Sequence, residues 1–345
     1  MTSRDLVLRT LNFQNAKNRV PRELWVLPWA EIHHPVELAE IQNAFEWDFG
    51  RPPLILEEQL VTKGDPFTVG EFVDEWGCVF TNVSQGIIGE VKTPIVGDAD
   101  WDDAASVHIP DEYLTFDADV VNRFCSESDR FILANCCPRP FERLQFIRGT
   151  ADLYMDLLTR PPKMMEFIRR MHEHDCRLFE KWARTDVDGL MFMDDWGSQN
   201  ALLIHPDLWV ELFKPMYKDL IDIARAHGKK TFMHSDGNTL AIIPHLIELG
   251  LDALNTQIFC IGVEKLAQFK GRLTFWGEID RQHLLPDGTQ EEIDAAVDLV
   301  YNTLWQDGGC IAQCEFGPMG NPENVRRIYE RWTQRCGAEG KRCHA

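Results

Sequence analysis

Apolar residues recur along this chain with two alternating spacings. Short continuous runs, the signature of buried strands, alternate with stretches where apolar side chains return every three or four residues, as on one face of a helix. Residues 2–13 set Leu6, Leu8, Leu11 and Phe13 on a polar background, which predicts a short helix leading into a strand at 24–27. A buried strand at 131–134 follows, then helical periodicity from about 141 to 182, divided at Pro161 and Pro162 because proline lacks the amide a helix interior needs. A strand at 189–193 leads to a helix at about 206–227 carrying Leu208, Trp209, Leu212, Phe213, Leu220 and Ile221, which Gly228 stops. The run 231–233, a helix closing at Gly250, strands at 253–255 and 273–276, a helix at about 290–305 and a last strand at 309–314 continue the alternation.

Strands alternating with helices imply a parallel sheet. Five or six clear strand–helix units without a glycine-rich dinucleotide fingerprint favour a closed (β/α)8 TIM-type barrel over a doubly wound sheet. Residues 30–125 are irregular and rich in Pro, Gly and Asp, with a hairpin-like run at 74–80, and read as an insertion over the barrel. No linker or repeat divides the chain, so residues 1–345 read as one barrel domain.

Composition narrows the function classes. The 345 residues are 44% hydrophobic and 26% charged, the balance of a soluble globular protein. The net charge of −20 opposes binding to nucleic acid or an anionic membrane, since phosphate binding needs clustered Lys and Arg. Met1 to Asp5 lack a signal-peptide profile and no run of about 18 apolar residues occurs, so a cytoplasmic protein is expected. Ten scattered cysteines then read as reduced thiols, available to bind metal.

In a barrel of this kind the active site lies at the C-terminal strand ends. Four apolar runs end in polar groups there: Asp194 and Asp195 with Gln199; His234, Ser235 and Asp236; Glu278 with Asp280; and Cys314 with Glu315. His234 and Asp236, spaced i and i+2, share one side of an extended strand end. Imidazole, thiolate and carboxylate suit zinc, so His234, Asp236 and Cys314 form a candidate metal set, while Asp195, Glu278 and Glu315 are candidates for proton transfer. The alternatives stay open: a buried Cys is often a small hydrophobe, a strand-end His often just hydrogen-bonds, and Asp after a strand often caps a helix. Trp29, Trp196 and Trp276, with Gln199, are candidate substrate contacts, against plain barrel packing for the tryptophans.

These residues also carry a resemblance. Thr2, Ser3 and Arg4 with Arg19, Val20 and Pro21; the run Asp194 to Gln199; Lys214 and Pro215; His234 to Asn238; Gly277 to Asp280 followed by Leu285 to Thr289; and Gly308 through Cys314 to Asn324 together resemble the uroporphyrinogen decarboxylase superfamily, almost end to end. That superfamily also contains zinc-dependent, corrinoid-linked methyltransferases. Its decarboxylases carry an arginine-rich motif after the first strand that grips the substrate's carboxylates; here that position reads Leu27, Pro28, Trp29, Ala30, Glu31, which argues against porphyrinogen decarboxylation. The methyltransferase branch binds zinc through a His-x-Cys pair and a later Cys. His234 and Cys314 match, and Asp236 stands where Cys is expected. The resemblance therefore implies a zinc-dependent methyltransferase exchanging a methyl group between a small donor or acceptor and a separate corrinoid protein, since the chain shows no Asp-x-His-x-x-Gly corrinoid motif. Two other readings stay open: a lyase on another carboxylate, anchored by Arg139, Arg143 or Arg148, and a non-catalytic barrel that binds a ligand or corrinoid. A homodimer is open as well.

Overall fold

The computed structural model describes residues 1–97 and 100–340, with only the backbone described for 336–340. The side chain of Cys336, and Cys343, lie outside the described residues. Eight strands form the framework: β1 (Arg22–Val26), β2 (Phe49–Gly50), β3 (Phe131–Ile132), β4 (Gly189–Met193), β5 (Lys230–Ser235), β6 (Ala253–Thr256), β7 (Thr274–Trp276) and β8 (Cys310–Phe316). Six make one parallel sheet in the order β1, β8, β7, β6, β5, β4, and β2 pairs with β3. Two further links close the ring. Leu133 bridges Gly189 in parallel, and the amide of Asp48 donates to the carbonyl of Arg22 at 3.0 Å. The result is the closed (β/α)8 barrel that the alternating pattern predicts.

One boundary changes. Residues 30–125 are not insertion throughout, because they contain β2, the second barrel strand, while β3 is the third strand and not the second. The rest is elaboration, including an antiparallel three-stranded sheet formed by Gly70–Val73, Val79–Asn82 and Glu90–Val91.

The strands are buried on both faces, and their alternation sorts side chains into two cores. Phe49, Phe131, Leu133, Met191, Phe232, Ala253, Trp276 and Ile311 plug the barrel interior, joined by Val7 and Leu11 from the helix Ser3–Leu11. That helix starts in a capping box in which Thr2 and Asp5 satisfy each other's backbone amides. The intervening residues, among them Phe192, Met233, Leu254, Phe275 and Ala312, pack outward against the helices. Above the plug, at the C-terminal ends of the strands, the inward positions turn polar. Among the described residues no helix is long and apolar enough to cross a membrane.

Candidate metal and substrate site at the barrel mouth

His234 is the inward residue at the end of β5 and is 5% exposed. Its Nδ1 lies 2.6 Å from Oδ1 of Asn255 on β6. The Asn255 amide nitrogen donates to the Trp276 carbonyl and, at 3.1 Å, to Gln313 Oε1. With both its hydrogens committed, Asn255 offers His234 only an acceptor, so Nδ1 carries a proton and the Nε2 position faces the mouth. Nε2 lies 3.6 Å from Asp195 Oδ1 and 3.6 Å from Asp236 Oδ1. The three donor atoms lie within 4.8 Å of one another.

Two loops fix this triangle. Gly197, after β4, and Gly237, after β5, pass with their backbones in contact, so a Cβ on Gly197 would lie 2.2 Å from the Asn238 nitrogen. The Gly197 amide donates to the Asp236 carbonyl at 3.0 Å, and the Asp236 amide donates to Asp195 Oδ1 at 3.0 Å. The neighbouring Asp194 points the other way. Its carboxylate accepts from the amides of Phe141 (2.9 Å) and Glu142 (2.7 Å) and from the Tyr217 hydroxyl, capping the helix Pro140–Arg148. The pair thus divides its labour, Asp194 capping and Asp195 facing the site.

Glu278 and Glu315 complete the rim, and Arg281 ties it together. Its guanidinium pairs with Asp236, donates to Glu315 Oε1 at 3.0 Å and stands 3.7 Å from Glu278 Oε1. Even so, Asp236 Oδ1 and Glu278 Oε1 are buried acceptors without a hydrogen-bond partner. Unsatisfied carboxylate oxygens are costly, so each of the two could hold a cation or accept from a donor. The electrostatics agree. Burial opposes protonation of His234, yet Asp236, Asp195 and Glu278 raise its pKa. Burial, with Asp236 and Glu315 adding, pushes Glu278 up to about 7 despite Arg281. Burial also raises Glu315.

The residues singled out from sequence divide accordingly. His234, Asp236, Asp195, Glu278 and Glu315 come together. Cys314 does not join the donor group: its register partner on β1 is Leu24, and like Leu24 it packs with the outer core, whereas Glu315 pairs with the inward Trp25. Trp196 and Trp276 are not substrate contacts, since both are fully buried. Trp196 stacks on Phe141 at 4.1 Å, and Trp276 belongs to the barrel plug, donating to Glu23 at 2.6 Å. Trp29 sits half-buried, stacked on His33. Gln199 lines a small cavity of about 100 Å³ with Cys260, Glu278 and Arg281 at the rim. Sequence reasoning missed Asn255 and Arg281, whereas Trp25, which lies near a strand end and was open to a pocket-lining role, has its ring 5.3 Å from that of His234.

The arginines considered as carboxylate anchors are already engaged: Arg139 with Glu142 at 2.9 Å, Arg143 with Asp74, and Arg148 with Asp156 at 2.7 Å. None offers a free guanidinium to a substrate carboxylate.

Fold and site together define a (β/α)8 barrel with a histidine–carboxylate pocket at its C-terminal mouth. The chain belongs to the uroporphyrinogen decarboxylase (URO-D) family, whose model matches residues 74–334. Among solved structures, a methyltransferase from Methanosarcina mazei is similar over 97% of this chain and 99% of its own, at 16% identity and a TM-score of 0.67. A B12-independent methionine synthase from Shewanella sp. W3-18-1 in complex with selenomethionine matches at 11% identity, covering 66% of this chain and 67% of its own, with a TM-score of 0.40. The first likeness supports the fold; the second carries no weight for the site. No curated protein matches the chain.

Proposed function

We propose that this protein is a zinc-dependent methyltransferase that moves a methyl group between a small methylated substrate and a corrinoid held by a separate protein docked over the barrel mouth. Family membership and the shared fold with a methyltransferase support the reaction class. The observation that carries the metal is the outward Nε2 of His234, flanked at 3.6 Å by Asp195 and by the unpartnered Oδ1 of Asp236. One imidazole and two carboxylates fit a divalent ion of zinc's preferences, with room for water or substrate as a further ligand.

When bound, such an ion supplies Lewis acidity to the substrate heteroatom. The protein's own groups do the rest. Asn255 holds the imidazole in one tautomer and orientation. Arg281 holds Asp236 and Glu315 in place and offsets part of the charge of the four rim carboxylates. Glu278, with one oxygen free and a pKa near neutrality, holds the proton that passes to or from the heteroatom as the methyl group leaves or arrives. Trp25 walls the imidazole on its other side. A donor set of nitrogen and oxygen, without thiolate, leaves the ion a harder acid, which favours a methyl ether or methylamine over a thiol as the partner of cobalt.

Metal analysis of the purified protein beside His234→Ala and Asp236→Asn, with methyl transfer to added cobalamin as the activity readout, tests the reading. We expect stoichiometric zinc in the wild type and loss of both metal and activity in the variants. A wild-type protein that takes up no zinc overturns the metal-dependent mechanism.

A further inference from the structure

Beside the mouth lies a second cavity, of about 330 Å³, that the proposed reaction does not use. It opens between the segment following β3, the helix Pro162–Ala183 and the elaborated region 52–116. Leu54, Trp76, Met171 and Leu178 give it apolar walls. Residues Asn135 to Arg139, which follow the C-terminal end of β3, line it, so the cavity adjoins the mouth.

Its charged groups are paired, with one exception. Arg143 pairs with Asp74, stands 3.7 Å from Glu75 and lies over the Trp76 ring at 4.9 Å. Arg139 is held by Glu142 at 2.9 Å, and His174 Nδ1 lies 3.0 Å from Asp111. Asp175, 5% exposed and lining the same cavity, has no hydrogen-bond partner among the described residues. Because Asp175 lines the cavity, it faces empty space instead of being entombed in packing. A buried carboxyl without a donor is expensive, and burial indeed pushes it up to about 8, with Arg143 opposing only in part.

We propose that this cavity is a ligand site for a small organic amine, bound as its ammonium with Asp175 as the counter-ion. An anionic ligand would need a free cation, and both guanidiniums are committed. A neutral ligand could meet only the protonated carboxyl and would gain no charge-assisted hydrogen bond. An ammonium on an apolar body matches what is present: one unpartnered acceptor, aromatic and aliphatic walls, and Glu75 close by to add negative potential. The site is separate from the metal group and stands or falls without it.

The test is calorimetric titration of the full-length protein with benzylamine, and with benzyl alcohol and benzoate as neutral and anionic counterparts of the same size. Benzylamine should bind and the other two should bind at least roughly tenfold more weakly, the worth of one charge-assisted hydrogen bond. Asp175→Asn, which keeps size and shape, should weaken benzylamine by roughly ten- to a hundredfold. Met171→Trp, which fills the cavity and leaves Asp175 in place, should abolish binding. Zinc content measured alongside should not change in either variant, which separates this outcome from that of the metal reading. No benzylamine binding by the wild type, equal or tighter binding of benzoate, or unchanged affinity in Asp175→Asn overturns the proposal. If Asp175→Asn does not fold, the ligand preference of the wild type and the loss in Met171→Trp decide it.

Discussion

The distance between Asp195 and Asp236 is set by two glycines, and Gly197→Ala tests that directly. An added Cβ would lie 2.2 Å from the Asn238 nitrogen, 2.4 Å from the Gly237 carbonyl carbon and 2.7 Å from the Asp236 oxygen. All three neighbours are backbone, so no rotamer change relieves the clash. Ordinary contact begins near 3.4 Å, so the loops after β4 and β5 must part by about 1 Å. That separation breaks the Gly197 amide's bond to Asp236 and the 2.8 Å bond from the Asn238 amide to the Ser198 carbonyl. The stability cost should be about 1–3 kcal/mol, the range for overpacking. More telling, Asp195 and Asp236 would move apart around His234, and a shift of that size should weaken zinc by roughly ten- to a hundredfold. Calorimetric zinc titration of the metal-free protein, with thermal unfolding alongside, reads both effects. Gly228→Ala is the control: with φ +69° it is strained, but its Cβ meets nothing within 4 Å and it lies at the far end of β5, so stability should fall while zinc affinity holds. A folded Gly197→Ala protein that binds zinc as tightly as the wild type would refute the claim that this backbone contact spaces the ligands.

Other consequences follow from the same geometry. Asn255→Leu removes the acceptor for His234 Nδ1 and the two donors to Trp276 and Gln313, so zinc affinity should drop roughly ten- to a hundredfold, read by competition with a chelating dye. Asp194→Ala uncaps the helix Pro140–Arg148 and leaves the Tyr217 hydroxyl buried without its acceptor; it should cost about 2–4 kcal/mol in denaturant unfolding while leaving the proposed zinc ligands in place. Asp175 has a folded pKa raised from 3.8 to about 8, so its contribution to stability is complete below pH 4 and is lost as pH rises toward 8. Between pH 5 and pH 8 that loss is on the order of 4 kcal/mol, at about 1.36 kcal/mol per pH unit, and Asp175→Asn should flatten the fall in melting temperature across that window. Cys314→Ser should retain zinc, because Cys314 packs with Leu24 in the outer core; loss of zinc in a folded Cys314→Ser protein would contradict that placement.

What the sequence conveyed, and what it withheld, follows from whether one strand or several were needed to see it. The alternation of apolar runs and helical faces is local, and it predicted the barrel and the strand ends where His234, Asp236, Glu278 and Glu315 now meet. β2 escaped because two residues, Phe49 and Gly50, make no apolar run; only pairing with β3 and the Asp48 amide's bond to Arg22 reveal a strand. Asp194 and Asp195 could not be told apart by residue type, yet adjacent residues of an extended segment face opposite ways, so one caps a helix as the other enters the site. The same parity decides Cys314. On β8, Ile311 belongs to the inner core and Gln313 reaches inward to Asn255, which turns Cys314 outward and brings Glu315 in. Reading that parity required the register of β8 against β1, a contact between residues almost three hundred positions apart. Asn255 and Arg281 are harder still, since neither belongs to a recognisable motif. Asn255 acts only because β5, β6, β7 and β8 stand side by side, letting one amide touch His234, Trp276 and Gln313 together. The imidazole therefore owes its orientation to the closed sheet and not to its own strand. For that reason replacing Asn255 should weaken zinc at the proposed site, although Asp195, His234 and Asp236 are all still present.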